Sequence, residues 1–307
     1  MQNEIKLTVV ICTYNRAGYL HDTLQDLSEQ NASFGSFEVL VINNNSTDGT
    51  STVCEIFEKT NPQVHFNRVV EERQGLSFAR NRAVSEANSN TLLYIDDDVR
   101  LPADYVSTAL RYTHNRASVM SAGGPIDVLF DHGDPDWIPK QLMPMFGYHD
   151  LGEEDRLYPA LNFPRGGNMM IRKSVFDAFG YFDTELGRKG GNLMGSEEKA
   201  FFERLRKNGI ELHYWADMKL FHRIGKERLS KKFIRKQSIG IGKSERLRVS
   251  ESVKDVSAKL FSEVIKLGGS FILALGYLLL GKLKAAGLLI QFRFWVMRGF
   301  LNPRKKA

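Results

Sequence analysis

Apolar and polar positions along the first third of the chain alternate between short strand-like runs and helical patterns. The apolar, often β-branched runs are LTVVIC (7–12), FEVLVIN (37–43), VHFNRVV (64–70) and TLLYID (91–96). Helical patterns follow them at 18–30, 49–59, 76–87 and after Pro102. Strand–helix alternation of this kind predicts an α/β fold with a parallel, doubly wound central sheet.

The pattern changes after the fourth strand–helix unit. Residues 123–165 are rich in Pro, Gly and aromatic side chains and show no clear period, which predicts a long, ordered and functional loop. Order then returns, with strands predicted at 166–172 and 210–216 and helices at 173–179 and 196–208. The strand at 210–216 is the last one that the pattern predicts.

Three polar segments directly follow predicted strands. They are TYNR (13–16), NNNSTDGT (43–50) and DDDV (96–99). In open α/β sheets ligands bind outside the carboxyl ends of the strands, so we expect the three segments to face one crevice. The adjacent carboxylates of Asp96, Asp97 and Asp98 repel one another, and either solvent exposure or a bound divalent cation can make the cluster tolerable.

Six blocks of sequence together resemble the family 2 glycosyltransferases of the GT-A fold. They are TVVICTYNR, VINNNSTDGT, ERQGLSFARNRA, YIDDDV, GGNMMIRKSVFDAFGYFD and GSEEKAFFERLRKNG, in the family's order over roughly residues 5–222. The resemblance implies a Rossmann-like, mostly parallel central sheet flanked by helices. It also implies inverting transfer of a sugar from a nucleotide diphosphate sugar, with Mg²⁺ or Mn²⁺ as the cofactor.

The resemblance assigns metal-site roles to the aspartates. Asp98 would be the direct metal ligand, Asp96 would contact the ribose or a metal-bound water, and Asp97 would be the intervening position. A cation at this point would stabilise the charge that builds on the leaving diphosphate. His222, placed after the last predicted strand, would approach the metal or the diphosphate, and a purely structural histidine is the equal alternative.

Donor binding is implied for a larger set of residues. Asn43 stands where family members commonly carry an aspartate that accepts the uracil N–H, and UDP stays the first choice of nucleotide. Arg80 would face phosphate or the base edge, with an exposed helical arginine as the alternative. Capping of the next helix is an equal explanation for Asp48. The donor-binding residues implied are Thr13, Tyr14, Asn15, Arg16, Asn43, Asn45, Arg80, Asp96, Asp97, Gly167 and Asn168.

The general base is implied in the pair Glu197 and Glu198, with Glu198 aligned to the family's usual aspartate. An inverting transfer needs such a base to take the acceptor proton. The alternative is that both glutamates serve as partners of the helix dipole in a first turn. Trp137 and Tyr148 in the long loop are candidates for stacking on the acceptor, or for ordinary packing.

Composition bears on the cellular location of the protein and on its partners. The net charge of +6 is concentrated late in the chain, with ten Lys or Arg against two Glu in residues 223–249 and five Lys or Arg without an acid in 291–307. This distribution argues against a uniformly basic nucleic-acid binder. Cys12 and Cys54 lack a paired spacing, which favours a reducing compartment, and the first residues show no signal-peptide pattern.

The C-terminal segment predicts membrane association. FILALGYLLL (271–280) is an apolar run of ten residues, shorter than the roughly twenty that a spanning helix needs. An interfacial or re-entrant hairpin, a true span and a soluble helical cap are the alternatives. We expect three segments, namely a catalytic domain at 1–222, a basic helical segment or lid at 223–262, and a membrane-associating segment at 263–307.

The sequence therefore predicts a membrane-associated glycosyltransferase at the cytoplasmic face of the cell membrane. Its acceptor would be a saccharide or a lipid-linked acceptor in the synthesis of cell-surface polysaccharide or glycolipid. A membrane-anchored scaffold protein that binds sugar nucleotides without turnover is the alternative. A nucleotidyltransferase is a weaker one, because ICTYNRAGYL lacks a glycine-rich basic loop.

Overall fold

The structure is a computed structural model that describes residues 5–187, 196–249 and 252–302. Its strands are β1 (Leu7–Thr13), β2 (Phe37–Asn43), β3 (His65–Val70), β4 (Thr91–Ile95), β5 (Val99–Arg100), β6 (Ser121–Gly123), β7 (Ile126–Phe130), β8 (Arg156–Leu157), β9 (Asn168–Arg172), β10 (Leu212–Tyr214) and β11 (Leu220–Ile224). Its helices are α1 (Ala17–Ser28), α2 (Thr50–Thr60), α3 (Leu76–Glu86), α4 (Tyr105–Asn115), α5 (Lys173–Phe179), α6 (Glu197–Lys207), α7 (Lys231–Arg248), α8 (Val253–Leu279) and α9 (Leu283–Leu301). Two 3₁₀ helices lie at Lys140–Phe146 and Lys226–Leu229.

The larger sheet has eight strands in the order β3-β2-β1-β4-β9-β6-β10-β8. Strands β1 to β4 are mutually parallel, as are β6 and β10. Strand β9 runs antiparallel to both of its neighbours, β4 and β6. Strand β8 runs antiparallel to β10. The predicted mostly parallel α/β sheet is confirmed, with β8 and β9 as its inverted members. A second sheet has three strands in the order β5-β11-β7.

Two apolar layers cover the two faces of the larger sheet, because successive strand residues point to opposite sides. In β1, Val9 and Ile11 pack with α1, α2 and α4, whereas Val10 packs with α3, α5 and α6. The odd-numbered and even-numbered residues of β2 divide in the same way. This arrangement is the doubly wound architecture that the alternating pattern predicts.

The prediction for residues 123–165 as a single irregular loop is wrong, and so is the prediction that 210–216 is the last strand. The first region contains all of β7, the 3₁₀ helix Lys140–Phe146 and β8. Strand β11 follows β10 and has His222 inside it, with Leu220, His222 and Ile224 buried in alternation. The polar His222 and Arg223 interrupt the apolar run that a strand search relies on, although a two-residue period is present.

The chain divides into two compact units. Unit 1 comprises the described residues of Met1–Val128, Gly147–Glu185 and Glu197–Arg223, and it contains the larger sheet. Unit 2 comprises the described residues of Leu129–Phe146, Leu186–Ser196 and Ile224–Ala307, and it contains α7, α8 and α9. The three segments predicted from the sequence stay a prediction. The last basic residues of the predicted tail lie in 303–307, outside the described residues.

The helices of unit 2 pack closely at glycines. A Cβ atom on Gly242 of α7 would lie 2.0 Å from the Val296 carbonyl oxygen of α9. A Cβ atom on Gly299 would lie 2.2 Å from the Ile239 carbonyl oxygen. The backbones of α7 and α9 therefore touch where they cross. Among the described residues, one helix, Val253–Leu279, is long and apolar enough to cross a membrane by length and composition.

Candidate active site

Four chain segments meet at one edge of the larger sheet. Thr13 lies beside Asn43 in the parallel register, and Ile11 lies beside Ile95, so β1, β2 and β4 end together. Because β9 is antiparallel, its first residue, Asn168, pairs with Ile95 and the preceding glycines reach the same edge. The segments at this edge are 13–16, 43–50, 96–98 and 166–167.

Two aspartates and a histidine form a group that could hold a metal ion. Asp96, Asp98 and His222 each offer one ligand atom, and these atoms all lie within 4.8 Å of one another. His222 Nε2 is 3.1 Å from Asp98 Oδ2, because pairing of β11 with β5 sets His222 opposite Val99. Asp98 and His222 are buried, so the group differs from an exposed acidic turn. Carboxylate oxygens with one imidazole suit a divalent first-row metal, Mn²⁺ above Mg²⁺.

Asp97 points away from this group and links β1 to the turn after β4. Its Oδ2 accepts a hydrogen bond of 2.6 Å from the Thr13 hydroxyl, and its side chain is buried. Burial raises the pKa of Asp97 to about 6, although Arg16 and the Thr13 hydroxyl act in the opposite direction. The predicted donor contacts of Thr13 and Asp97 stay predictions, since the two side chains bond each other.

Arg16 lies against the acidic turn. Its Nη2 is 2.6 Å from Asp98 Oδ2, and its Nη1 is 3.4 Å from Asp97 Oδ1. The guanidinium also stacks over the Tyr19 ring, 4.7 Å from the ring centre. Burial alone would lower the pKa of Arg16, and the charges of Asp97 and Asp98 raise it instead. The predicted donor role of Arg16 stays a prediction, and its pairing with the aspartates was not predicted from the sequence.

Gly166 and Gly167 let two carboxylates approach the backbone from either side. A Cβ atom on Gly167 would lie 2.7 Å from Asp96 Oδ2. A Cβ atom on Gly166 would lie 1.9 Å from Glu198 Oε1 and 2.0 Å from Arg80 Nη2. A Cβ atom at either position would therefore displace these side-chain ends from their present places. The glycine pair therefore separates the metal-binding group from the predicted general base.

Arg80 pairs with both candidates for the general base. Its Nη1 is 2.9 Å from Glu197 Oε1, and its Nη2 is 2.9 Å from Glu198 Oε1. The side chains of Arg80 and Glu197 are 3% and 4% exposed, whereas that of Glu198 is 22% exposed. Burial opposes the charge on the guanidinium, yet Glu198 and Glu197 raise the pKa of Arg80. The predicted contact of Arg80 with phosphate or base finds no support in these contacts.

The loops after β1 and β2 are tied together by hydrogen bonds. Asn15 Oδ1 accepts from the Thr47 backbone N–H at 2.7 Å, and the Asn15 N–H donates to Ser46 Oγ at 3.0 Å. Asp48 accepts from the Ala17 N–H at 3.0 Å and from the Thr50 N–H at 3.1 Å, so its contacts support the capping alternative. These hydrogen bonds hold the loops after β1 and β2 together as one continuous surface.

The predicted nucleotide ligands Tyr14, Asn15 and Asn45 lie in these loops, and Asn43 ends β2 beside them. Asn15 and Asn45 have φ angles of 53° and 59°, in the left-handed region, and the Tyr14 ring is exposed. Asn43 Oδ1 accepts from the Ser46 N–H at 2.9 Å, and its Nδ2 donates to Ser51 Oγ at 3.2 Å. One lone pair of the Asn43 oxygen remains for a base N–H. Donor binding by these residues stays a prediction.

Asn168 is directed into the protein interior. Its Oδ1 accepts from the Tyr105 hydroxyl at 2.8 Å, and its Nδ2 donates to the carbonyl oxygens of Pro125 and Met218. The residue is fully buried. These contacts give the amide a structural role and do not support the predicted contact with the donor. Of the neighbours Gly167 and Asn168, Gly167 is the one that borders the crevice.

Two further features of the site have no local sequence signal. Gly147 has a φ of +98°, and a Cβ atom there would lie 2.6 Å from His222 Nδ1, so this glycine makes room for the imidazole. The Tyr19 ring also lies under Arg223, 4.9 Å from the guanidinium carbon. Both contacts join positions that are far apart in the sequence. Tyr148 is half-buried, and its predicted acceptor contact, like that of Trp137, stays a prediction.

Comparison with known proteins decides the family. The sequence profile of Glycosyl transferase family 2 matches residues 8–180, more than half of the chain. The chain belongs to glycosyl transferase family 2. It is 22% identical over 224 residues to glucosyl-dolichyl phosphate glucuronosyltransferase of Haloferax volcanii, which covers 72% of this chain and 70% of that protein. It is also 26% identical over 106 residues to GalNAc(5)-diNAcBac-PP-undecaprenol beta-1,3-glucosyltransferase of Campylobacter jejuni, 34% of each chain.

Solved structures support the GT-A fold. Mannosyltransferase PcManGT from Pyrobaculum calidifontis, in complex with GDP-Man and Mn²⁺, is similar with a TM-score of 0.64 at 16% identity, over 98% of this chain and 88% of that one. TarS of S. aureus in complex with UDP-GlcNAc is similar with a TM-score of 0.53 at 20% identity, over 80% and 71% of the two chains. The predicted family, fold and enzyme class are therefore confirmed: this family 2 chain is a glycosyltransferase.

Proposed function

We propose that this glycosyltransferase moves a sugar, with inversion, from a nucleotide diphosphate sugar to a hydroxyl of a saccharide or lipid-linked acceptor. One observation carries the proposal. Asp96 of the metal-binding group and Glu198 of the base pair flank adjacent glycines, Gly167 and Gly166. An inverting transfer needs a stabilised leaving group and a base on opposite sides of the reacting sugar carbon, and this arrangement offers both at one edge of the sheet.

Asp96, Asp98 and His222 are the residues that would hold Mg²⁺ or Mn²⁺. When bound, the cation supplies stabilisation of the negative charge on the leaving diphosphate. The ligand set includes an imidazole, which favours Mn²⁺, and the PcManGT structure contains that ion. Strand β11 holds the imidazole in place, so the ligands are positioned before an ion arrives.

Glu198 is the better candidate for the general base. Its carboxylate is partly exposed, whereas that of Glu197 is nearly buried, so an acceptor hydroxyl has access to Glu198. Arg80 holds one oxygen of Glu198 and orients the group toward the crevice. Glu197 then supports the geometry through the same guanidinium.

A UDP-sugar is the first choice of donor. The TarS structure contains UDP-GlcNAc and the PcManGT structure contains GDP-Man, so the fold accommodates either nucleotide in other proteins. Asn43 can accept a uracil N–H through the free lone pair of its amide oxygen. For the acceptor, the names of two relatives include dolichyl phosphate and undecaprenol, which supports a lipid-linked molecule in glycan or glycolipid synthesis.

A panel of nucleotide sugars tests the reaction. We expect one sugar nucleotide with Mn²⁺ to raise the melting temperature and to be hydrolysed slowly by the purified protein. Glu198→Gln should lower turnover by on the order of 10²–10⁴-fold and leave Mn²⁺ binding intact. Asp98→Asn should abolish both turnover and Mn²⁺ binding. Glu58→Gln, on the exposed surface of α2, should change neither turnover nor Mn²⁺ binding. Donor binding without turnover in the wild type would support a binding protein instead.

We further propose that α8 attaches the enzyme to a membrane surface in the plane of the interface. Most of the exposed apolar side chains of α8 form one stripe along the helix, and the exposed Leu273 lies outside it. The members of the stripe are Val253, Phe261, Val264, Ile265, Phe271, Ile272, Leu275, Leu278 and Leu279. Glu263, Ser270 and Ala274 on the opposite face are buried. A helix with one apolar exposed face is typical of interfacial binding.

Charges oppose a spanning arrangement of α8. The fifteen residues between Lys266 and Lys282 reach about 22 Å as an α-helix, short of the roughly 30 Å hydrocarbon core. Glu263 is paired with Lys266 at 2.8 Å and with Lys259 at 3.3 Å, and Lys259 also reaches Glu245 of α7 at 2.7 Å. Crossing would place this ion cluster in lipid. The lysines near the helix ends instead suit anionic headgroups, and the cytoplasmic face remains the side that we propose.

Vesicle binding tests the membrane proposal. The protein should co-sediment with phosphatidylglycerol vesicles and bind phosphatidylcholine vesicles less. Ile272→Glu should reduce sedimentation at least tenfold, whereas Leu161→Glu, at a position 92% exposed in unit 1, should not change it. A carbonate wash should release the protein from isolated membranes. Retention after the wash would contradict the in-plane arrangement, and self-association without vesicle binding would indicate a second copy on the stripe.

A further inference from the structure

Arg16 contacts the same carboxylate that the proposed metal would use. Its Nη2 lies 2.6 Å from Asp98 Oδ2, and His222 Nε2 lies 3.1 Å from that oxygen. Its Nη1 lies 3.4 Å from Asp97 Oδ1. A single planar guanidinium thus bridges two adjacent aspartates of the acidic turn.

Arg16 is more exposed than the two carboxylates that it contacts. Its side chain is 23% exposed, whereas Asp98 is 1% exposed. Arg16 follows Asn15, which has a left-handed backbone, and directly precedes α1. The arginine therefore contacts a buried carboxylate from a position that is itself partly open to solvent.

We infer that Arg16 serves as an exchangeable counter-cation, which neutralises Asp98 before a divalent metal binds and leaves this carboxylate when the metal arrives. The inference rests on the proposed function and adds a control of metal loading at the same site. A guanidinium and a divalent ion compete for one carboxylate because both are cations and both need its lone pairs.

The exchange would also connect metal binding with donor binding. Arg16 released from Asp98 is a cation with a planar set of donors beside the crevice, which suits a diphosphate. The donor role predicted for Arg16 and its observed pairing with the aspartates then belong to two successive states. Metal binding should precede tight donor binding, and each should strengthen the other.

Direct titration with Mn²⁺ in the absence of any donor tests the inference. Free Mn²⁺ is measured by electron paramagnetic resonance for the wild type, Arg16→Gln and Arg16→Lys. We expect Arg16→Gln to bind Mn²⁺ more tightly by on the order of tenfold, because a competing cation is lost. Arg16→Lys should fall between the two, since an ammonium cannot bridge both aspartates. If Arg16→Gln does not fold, the Mn²⁺ affinity of Arg16→Lys compared with that of the wild type tests the inference.

Arg100→Gln is the matched control. Arg100 pairs with the buried Asp26 at 2.7 Å, so this variant also removes an arginine from a buried aspartate, in the same unit and outside the site. Its Mn²⁺ affinity should equal that of the wild type. In addition, Arg16→Gln should bind UDP in the presence of Mn²⁺ less tightly than the wild type.

The outcomes separate this inference from the proposed function. Equal or weaker Mn²⁺ binding by both Arg16 variants would overturn the exchange and leave the metal-dependent transfer standing. Failure of the wild type and of every variant to bind Mn²⁺ would overturn both. Tighter binding by Arg16→Gln together with an unchanged Arg100→Gln supports the exchange, whether or not the donor sugar has been found.

Discussion

Two arginines of unit 1 each bridge a pair of acidic side chains, and their surroundings differ. Arg16 spans Asp97 and Asp98 with its side chain 23% exposed, while Arg80 spans Glu197 and Glu198 with its side chain 3% exposed. The first pair lies beside His222 and Asp96, which offer ligands to another cation. The second lies under Gly166, where a Cβ atom would displace Glu198 and Arg80. Similar ion pairs can thus be replaceable or permanent, depending on what else can reach the carboxylates.

The largest expected effect comes from removing the enclosed arginine. Arg80→Gln leaves two glutamates without their shared cation, and breaking a buried ion pair in this way costs about 3–5 kcal/mol. The free energy of unfolding, measured with urea, should fall by that amount. Mn²⁺ should not restore it, since the group of described residues that could hold a metal ion, Asp96, Asp98 and His222, includes neither glutamate.

Arg16→Gln is the contrasting variant in the same urea experiment. It should be destabilised by less, about 1–3 kcal/mol, because the Arg16 side chain is 23% exposed and water partly screens its ion pairs. Added Mn²⁺ should recover most of this loss through binding to the native state. If Mn²⁺ rescues both variants alike, the distinction between the two arginines fails.

The two glycines between the clusters should respond differently to a methyl group. Gly166→Ala collides with Glu198 and Arg80, so we expect transfer to slow by on the order of a hundredfold with Mn²⁺ affinity unchanged. Gly167→Ala collides with Asp96, so Mn²⁺ affinity should fall by about tenfold. Calorimetric titration and initial rates measure the two effects. Equal losses of metal affinity in both variants would show that the clusters are not separate.

The smallest effect concerns the rings under the arginines. Tyr19 lies 4.7 Å from Arg16, and Phe182 lies 5.5 Å from Arg80. A cation–π contact at a partly exposed site contributes about 0.5–1 kcal/mol. Tyr19→Leu should therefore loosen Arg16 and tighten Mn²⁺ binding about threefold, as measured by the same resonance titration. Phe182→Leu should leave Mn²⁺ binding unchanged.

The sequence predicted the larger sheet well because alternation along β1, β2 and β4 directly reflects the two faces on which their side chains pack. It also predicted that Asp96 and Asp98 lie at a strand end with His222 near them, although it placed His222 outside a strand. The short strands β6, β7 and β8 were not predicted. Their two to five residues carry too few positions to show a period.

Contacts between distant side chains could not be predicted at all. Arg80 follows a helical pattern that gives no sign of its partners, and Glu197 and Glu198 are more than a hundred residues away. Arg16 was correctly placed at the crevice, but its pairing depends on the side chain's direction in three dimensions. Asn168 was assigned to the donor through the family resemblance, whereas its amide oxygen accepts from the Tyr105 hydroxyl.

The late position of strand β11 in the sequence has a consequence for biosynthesis. Asp98 leaves the ribosome early, but its imidazole neighbour His222 is translated more than a hundred residues later and docks only through β11. The nascent chain must therefore carry its acidic turn, without that neighbour, while more than a hundred further residues are translated. Arg16, made still earlier, is available to shield those charges from the first moment that they emerge.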